Sequence, residues 1–127
     1  MVQPNVGSDP INPKYYDGTA CAEIIEHMPT NVAFAVKYAW RLGEKDSVQQ
    51  EAKKAVWYLE RQMNLPYVPF IGSMFYGFCR ERTSAAINAG KLDANRATIV
   101  DELVNYTITN EPDRLRMAIA LFQQYFD

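Results

Sequence analysis

Residues 46–63 carry the clearest helical pattern in the chain. They read Asp46-Ser-Val-Gln-Gln-Glu-Ala-Lys-Lys-Ala-Val-Trp-Tyr-Leu-Glu-Arg-Gln-Met63. Apolar residues recur at helical spacing between Ala52 and Met63, and polar residues occupy the opposite side. Asp46 and Ser47 are residue types that cap a helix N-terminus, and either can serve here. The stretch therefore predicts an amphipathic helix with one face in a core.

Helical patterns also occur on both sides of this segment. They lie at about residues 19–28, 31–42, 73–89 and 94–109, with a last helix beginning near Asn110. The second of them is apolar over much of its circumference, which is typical of a central helix. Gly43 follows it at a place that favours a left-handed residue. Asp93 can cap the fifth helix, and Pro112 suits the first turn of the sixth.

The organisation of the chain follows from these helices. Prolines and glycines recur in residues 1–18, too often for regular structure, and predict an extended N-terminal arm. A chain of 127 residues suits one domain, and no strand pattern competes with the helices. We therefore predict an all-α fold: a compact bundle of five to six helices, residues 1–127 as a single domain.

Composition excludes several function classes. Thirteen Lys and Arg against fifteen Asp and Glu give a net charge of -2, so no overall field attracts a nucleic acid polymer or an anionic membrane. The N-terminus lacks the pattern of a signal peptide, and no apolar run approaches the length of a membrane span. We expect a cytoplasmic protein with no membrane and no nucleic acid polymer among its partners.

Residues that usually perform covalent or metal chemistry are scarce. Cys21 and Cys79 both fall in predicted helices, which favours two buried, reduced thiols over a disulfide framework. The single histidine, His27, is not part of a zinc-binding spacing. No Ser-His or Cys-His catalytic pair is therefore expected.

Three cations mark a candidate phosphate site. Lys37 and Arg41 are four residues apart and share one helix face, and Lys45 follows in the loop after the helix. Such cations can converge on one anion. The alternative is a solvated helix edge, or an Arg41 that pairs with Glu44 or Glu51.

Aromatic residues near these cations can stack on a nucleobase. Tyr15 and Tyr16 follow the rigid Pro13, and an arm folded over the helix would bring them to the ligand. Tyr38 and Trp57 can add further ring faces. The alternative is that all four pack in the fold, and Trp57 and Tyr38 fit that interpretation better. Tyr16 is the preferred stacking residue.

A phosphoryl transferase would also need Mg²⁺ held by a carboxylate. Glu44, Asp46 and Glu51 cluster around the loop between the second and third helices, and Asp46 and Glu51 are the candidate ligands. Both acids are equally explained as a cap and a first-turn acid of the third helix. The chain contains no phosphate-binding loop motif.

The second half of the chain offers fewer functional signals. Arg80, Arg82 and Lys91 form a second basic group that can reach the same ligand. Residues 70–78 are rich in rings and glycines, which is typical of a core or of an oligomer interface. A site shared between subunits would suit a chain without a self-contained catalytic set, so we expect a symmetric homo-oligomer.

Four blocks in the first half occur in a characteristic order. They read Asp9-Pro-Ile-Asn-Pro-Lys-Tyr-Tyr16, Cys21-Ala-Glu-Ile-Ile-Glu26, Ala33-Phe-Ala-Val-Lys-Tyr-Ala-Trp-Arg-Leu-Gly-Glu-Lys-Asp46 and Glu51-Ala-Lys-Lys-Ala-Val-Trp-Tyr-Leu59. The combination resembles a phage domain family of unknown function. That family is similar to the nucleotide kinase of certain podophages, which phosphorylates deoxynucleoside monophosphates without the usual phosphate-binding loop. The resemblance covers about residues 9–63, and residues 64–127 are an unmatched helical extension.

The resemblance implies a kinase-like phage protein that binds a nucleotide. As an enzyme it would be a nucleoside monophosphate kinase that uses ATP and Mg²⁺. One alternative is a non-catalytic binder that sequesters a nucleotide or a nucleotide-derived immune signal of the host. Another is a protein-binding anti-host factor that uses residues 67–78.

Overall fold

The computed structural model describes residues 21–65, 73–90 and 92–127, which form six α-helices. They are α1 (Ala22–Ile25), α2 (Thr30–Trp40), α3 (Val48–Met63), α4 (Ser73–Asn88), α5 (Ala94–Thr109) and α6 (Pro112–Gln123). No strand occurs in these ranges, so the all-α prediction is confirmed. None of these helices has the length and apolar character that crossing a bilayer requires. The predicted N-terminal arm lies outside the described residues.

Two helices begin at side-chain caps that the sequence predicts. The hydroxyl oxygen of Ser47 accepts a hydrogen bond from the backbone N–H of Gln50, 3.1 Å away, at the start of α3. The carboxylate of Asp93 accepts one from the backbone N–H of Arg96 at 2.9 Å and caps α5. Each cap satisfies a donor that the first helical turn leaves unpaired.

The last inter-helix turn differs from the sequence prediction. Asn110 does not start α6 but closes α5, in a left-handed conformation with φ of 57°. Its N–H donates to the carbonyl of Tyr106 at 2.8 Å. Asparagine tolerates this conformation better than most residues with a side chain, so it ends a helix as readily as it caps one. The next helix begins at Pro112, and the prediction that this proline lies in the first turn is confirmed.

Four helices form a closed ring around the core. Helix α2 packs against α3 and α5, and α6 packs against both α3 and α5. Helix α1 lies on α2, and α4 lies on α5. The largest fully buried side chains are Trp40, Phe122, Ile24, Leu59, Ile99, Leu103 and Leu115. One core therefore joins the first half of the chain to the last.

Helix α4 lies on α5 and leaves much of its described surface exposed. Its Phe75 and Cys79 enter the core, but Met74 is 90% exposed and Phe78 is 37% exposed. The described part of the ring-rich segment 70–78 is thus divided between the core, through Phe75, and the surface, through Met74 and Phe78. Gly77 lies on the same outer side of the helix, and a Cβ built there would meet no heavy atom within 4 Å.

We predict that Gly77→Ala stabilises the fold by about 0.5–1 kcal/mol, because alanine restricts the unfolded chain and meets no obstacle in the helix. Urea denaturation measures the change. Gly43→Ala is the matched control, and we expect it to lose at least about 1 kcal/mol. Gly43 has φ of +84°, and a Cβ would lie 2.9 Å from Cγ2 of Val48. A destabilised Gly77→Ala protein would contradict this account of α4.

Candidate functional site

One buried carboxylate organises the end of α2 and the start of α3. Glu51 lies in the first turn of α3 and is fully buried. Its Oε2 accepts from Nε of Arg41 at 3.2 Å. Its Oε1 accepts from the backbone N–H groups of Gly43 at 3.1 Å and Asp46 at 3.3 Å. The loop between the two helices is thus tied to α3 through a single side chain.

This arrangement explains why a carboxylate can be buried here. Removing a charge from water is costly unless a counter-charge and hydrogen bonds replace the lost hydration. Arg41 supplies the charge, and the loop supplies two amide donors, one of them from Gly43, which adopts a positive φ. The structure therefore realises the alternative in which Arg41 pairs with Glu51. As a correction to the three-cation site, much of the Arg41 charge is already neutralised.

The remaining cations of the predicted site keep their charge available. Lys37 is partly exposed one helical turn before Arg41, and Lys45 is exposed in the loop that Glu51 holds. Within the described ranges, neither lysine forms an ion pair. The guanidinium of Arg41 lies 5.2 Å from the ring centroid of Tyr38. We call Lys37, Tyr38, Arg41 and Lys45 the α2 basic site.

The candidate magnesium ligands have other roles. Both carboxylate oxygens of Glu51 accept hydrogen bonds from the loop and Arg41. The carboxylate of Asp46 pairs with Nζ of Lys54 at 3.3 Å. In the part of the chain that the structure describes, no three His, Cys, Asp or Glu residues are grouped as a metal site. Asp46 and Glu51 are therefore assigned to holding the loop.

Aromatic rings form a continuous path across α2 and α3. Tyr38 stacks on Tyr58 with centroids 6.2 Å apart, and Tyr58 meets Trp57 edge-on at 5.0 Å. Phe34 also contacts Tyr58, at 4.8 Å. Tyr38 is half-buried between Arg41 and Tyr58, in agreement with a packing role. Tyr15 and Tyr16 lie outside the described residues.

Trp57 is not the packing residue that the sequence interpretation favoured, because its surface is 56% exposed. It borders a shallow depression of about 460 Å³, which we call the Trp57 basin and which is lined by Trp57, Glu60, Arg61, Asn64 and Leu65. The guanidinium of Arg61 lies 5.7 Å from the indole centroid. The sequence contains a signal for this exposure: Trp57 falls on the polar side of α3, three or four residues from Lys53, Lys54, Glu60 and Arg61.

The second basic group is neutralised within the fold. Arg80 donates to the hydroxyl of Tyr76 at 2.8 Å and lies 3.9 Å from the carboxylate of Asp101. Arg82 pairs with Glu23 at 3.4 Å. A groove of about 200 Å³ between α4 and α5 is lined in part by Arg80 and Asp101. Lys91 lies outside the described residues. These arginines connect helices instead of extending the α2 basic site.

The two cysteines have the properties of core residues. Both are free and buried, as the sequence predicts. Burial raises the pKa of each thiol to about 12, and for Cys21 the nearby Lys37 and Arg41 oppose part of this rise. A raised thiol pKa favours the neutral, unreactive form. Neither cysteine is therefore assigned as a nucleophile.

Comparison of the chain with protein-family models, with curated proteins and with solved structures gave no match. The resemblance of residues 9–63 to a phage family therefore stays a prediction from motifs. The symmetric homo-oligomer likewise stays a prediction from the sequence. The function of the chain is inferred from the side-chain geometry described above.

We predict that Arg41→Ala lowers the free energy of unfolding by about 3 kcal/mol, because it leaves the buried Glu51 carboxylate without its counter-charge. Urea denaturation measures this loss. Arg61→Ala is the matched control, since Arg61 is exposed and its guanidinium lies over the ring of Trp57. We expect that variant to stay within about 0.5 kcal/mol of the parent. Equal, small effects of both substitutions would show that Glu51 does not depend on Arg41.

We predict that neither cysteine reacts with a disulfide reagent at about pH 8 in the folded protein. With a pKa of about 12, only about one thiol in ten thousand is ionised at that pH. Both thiols should react once urea unfolds the chain. A Ser84→Cys variant, whose new thiol is exposed, supplies the positive control. Rapid labelling of the folded parent chain would contradict the assigned burial.

Proposed function

We propose that this chain binds a small phosphorylated ligand, a nucleotide or a nucleotide-derived molecule, at the α2 basic site. The observation that carries the proposal is that Lys37 in α2 and Lys45 in the following loop form no ion pair within the described ranges, while Glu51 holds the orientation of Arg41, which lies between them in the sequence. Lysine ammonium groups bind phosphate oxygens as point charges. Lys37 and Lys45 are the two cations of the site that no described acid pairs with, on a chain whose net charge is -2.

Preorganisation supports binding at this place. A ligand that meets a loop already ordered by Glu51 does not need to supply the free energy of ordering it. Lys45 belongs to that loop, and Lys37 belongs to the rigid helix α2. Both cations are therefore presented by backbone whose position is defined before the ligand arrives.

Tyr16, the predicted stacking residue, is close in sequence to Cys21, and Cys21 lies beside this site. Tyr16 precedes Cys21 by five residues, and five fully extended residues span at most about 18 Å. The Cys21 thiol lies near enough to Lys37 and Arg41 for both cations to lower its pKa. Tyr16, and Tyr15 beside it, are thus within reach of a base whose phosphate lies on the two lysines.

Binding without a reaction is the form of the proposal that the side chains support best. The two acids that were candidates for magnesium each have another partner, Glu51 in Arg41 and Asp46 in Lys54. Sequestration of a nucleotide or of a nucleotide-derived signal needs only the cations and a ring. Phosphoryl transfer with ATP and Mg²⁺ rests on the family resemblance, and the same experiment tests it.

We predict that Lys37→Ala combined with Lys45→Ala weakens nucleotide binding at least about tenfold, because two charge-assisted contacts are lost. Isothermal titration calorimetry against nucleoside mono-, di- and triphosphates measures the affinity, and a thermal melt should show little change. Lys53→Ala is the control for lost charge, since Lys53 is exposed on α3 away from the site. Adenosine, which has no phosphate, should bind much more weakly than its phosphates.

Three results separate the candidate functions. Binding without product, after incubation with ATP and Mg²⁺ and chromatography of the mixture, supports a nucleotide binder. A phosphorylated product that disappears in the double lysine variant supports the kinase. Absence of heat with every nucleotide in the panel refutes the nucleotide proposal and leaves the protein-binding alternative.

A further inference from the structure

An exposed tryptophan at the edge of a depression is the feature of the molecule that the proposed site does not use. Tryptophan is mostly buried in folded proteins, whereas more than half of the Trp57 surface is exposed at 56%. Phe34 and Leu65 are also exposed, at 37% and 45%. An aromatic face of this size beside a concave surface is typical of a place where a planar group binds.

The rings connect this feature to the α2 basic site. The ring centroids of Tyr38 and Tyr58 are 6.2 Å apart, and those of Tyr58 and Trp57 are 5.0 Å apart. The three rings thus connect the α2 basic site with the Trp57 basin. Neighbouring bases of a short single strand can be splayed onto separate aromatic side chains across steps of this kind. The two sites are therefore placed to contact one ligand that carries two bases.

The lining of the Trp57 basin suits a nucleotide. The volume of about 460 Å³ falls in the range of ligand pockets. Arg61 has no acidic partner in residues 21–65, 73–90 or 92–127, and its guanidinium lies over one side of the indole ring, 5.7 Å from the centroid, where it can meet a phosphate next to a base on the other side. Glu60 and the amide of Asn64 stand at the rim and can contact the edge of a base.

We infer that the Trp57 basin is a second base-stacking subsite, so that the ligand contains two linked nucleotides. One base stacks on the indole of Trp57, with the linking phosphate between Arg61 and the rings. The other nucleotide occupies the α2 basic site with a phosphate on Lys37 and Lys45. This inference rests on the proposed function, but it concerns residues of α3 that the proposed site does not contain.

Tryptophan fluorescence gives a direct test, because Trp40 is 2% exposed and Trp57 is 56% exposed. Titration with the dinucleotide pApA should change the emission of Trp57, and Trp57→Phe should abolish that change. Calorimetry should show pApA binding at least about tenfold more tightly than AMP. Trp57→Ala should remove this gain and leave AMP binding unchanged, whereas Trp57→Phe should keep most of it.

Met117→Ala is the matched control, since Met117 is an apolar side chain that is 50% exposed on α6. It should keep the full gain with pApA. Because Trp57 is exposed, its variants should fold, and a thermal melt verifies this.

The outcomes distinguish the two proposals. Equal affinities for AMP and pApA, or unchanged Trp57 emission, overturn the second subsite, while AMP binding that depends on the two lysines keeps the proposed function. Binding of pApA that depends on Trp57 but not on Lys37 and Lys45 keeps the subsite and overturns the α2 basic site. Self-association that Trp57→Ala abolishes in analytical ultracentrifugation would show a second copy on the basin and also overturn the inference.

Discussion

The rest of this structure depends on one buried carboxylate. Glu51 is fully buried, and its two oxygens hold Arg41 and the amides of Gly43 and Asp46. A charge in such a place is tolerated only while its partners stay in position, so the interaction selects one conformation for the whole α2–α3 connection. The same connection joins α2 to α3, whose packing on each other forms one of the four sides of the helical ring.

The same constraint decides how the candidate site can work. Arg41 pairs with the buried Glu51, and its guanidinium also lies over the ring of Tyr38 in the proposed site. Because Glu51 balances its charge, Arg41 orients the site more than it attracts an anion. The binding charge is then left to Lys37 and Lys45. Helix α3 has three separate tasks along its surface: Glu51 holds the loop, Leu59 and its neighbours fill the core, and Trp57 faces outward.

Prediction from the sequence succeeded where a local pattern has a local cause. Ser47 and Asp93 cap helices because their side chains reach donors three residues away, which needs no information from elsewhere in the chain. Prediction from the sequence was less successful at the ends of helices and for exposed side chains. Asn110 suits both a helix start and a left-handed helix end, and Met63 continues the apolar pattern of α3 but is 38% exposed because the helix ends there.

The sequence by itself determined the all-α class, the described long helices and the caps Ser47 and Asp93, because spacing and backbone preferences act over a few residues. Only the tertiary structure decided the pairing of charges and the exposure of rings. In the sequence, Glu44 and Glu51 were both possible partners of Arg41. In the structure Arg41 pairs with Glu51, because the carboxylate of Glu51 is enclosed between α2, the loop and α3. Trp57 was interpreted as a packing ring although it falls on the polar side of α3. The fold decided its 56% exposure, because burial depends on which neighbours other helices bring, and no described helix covers that side of α3.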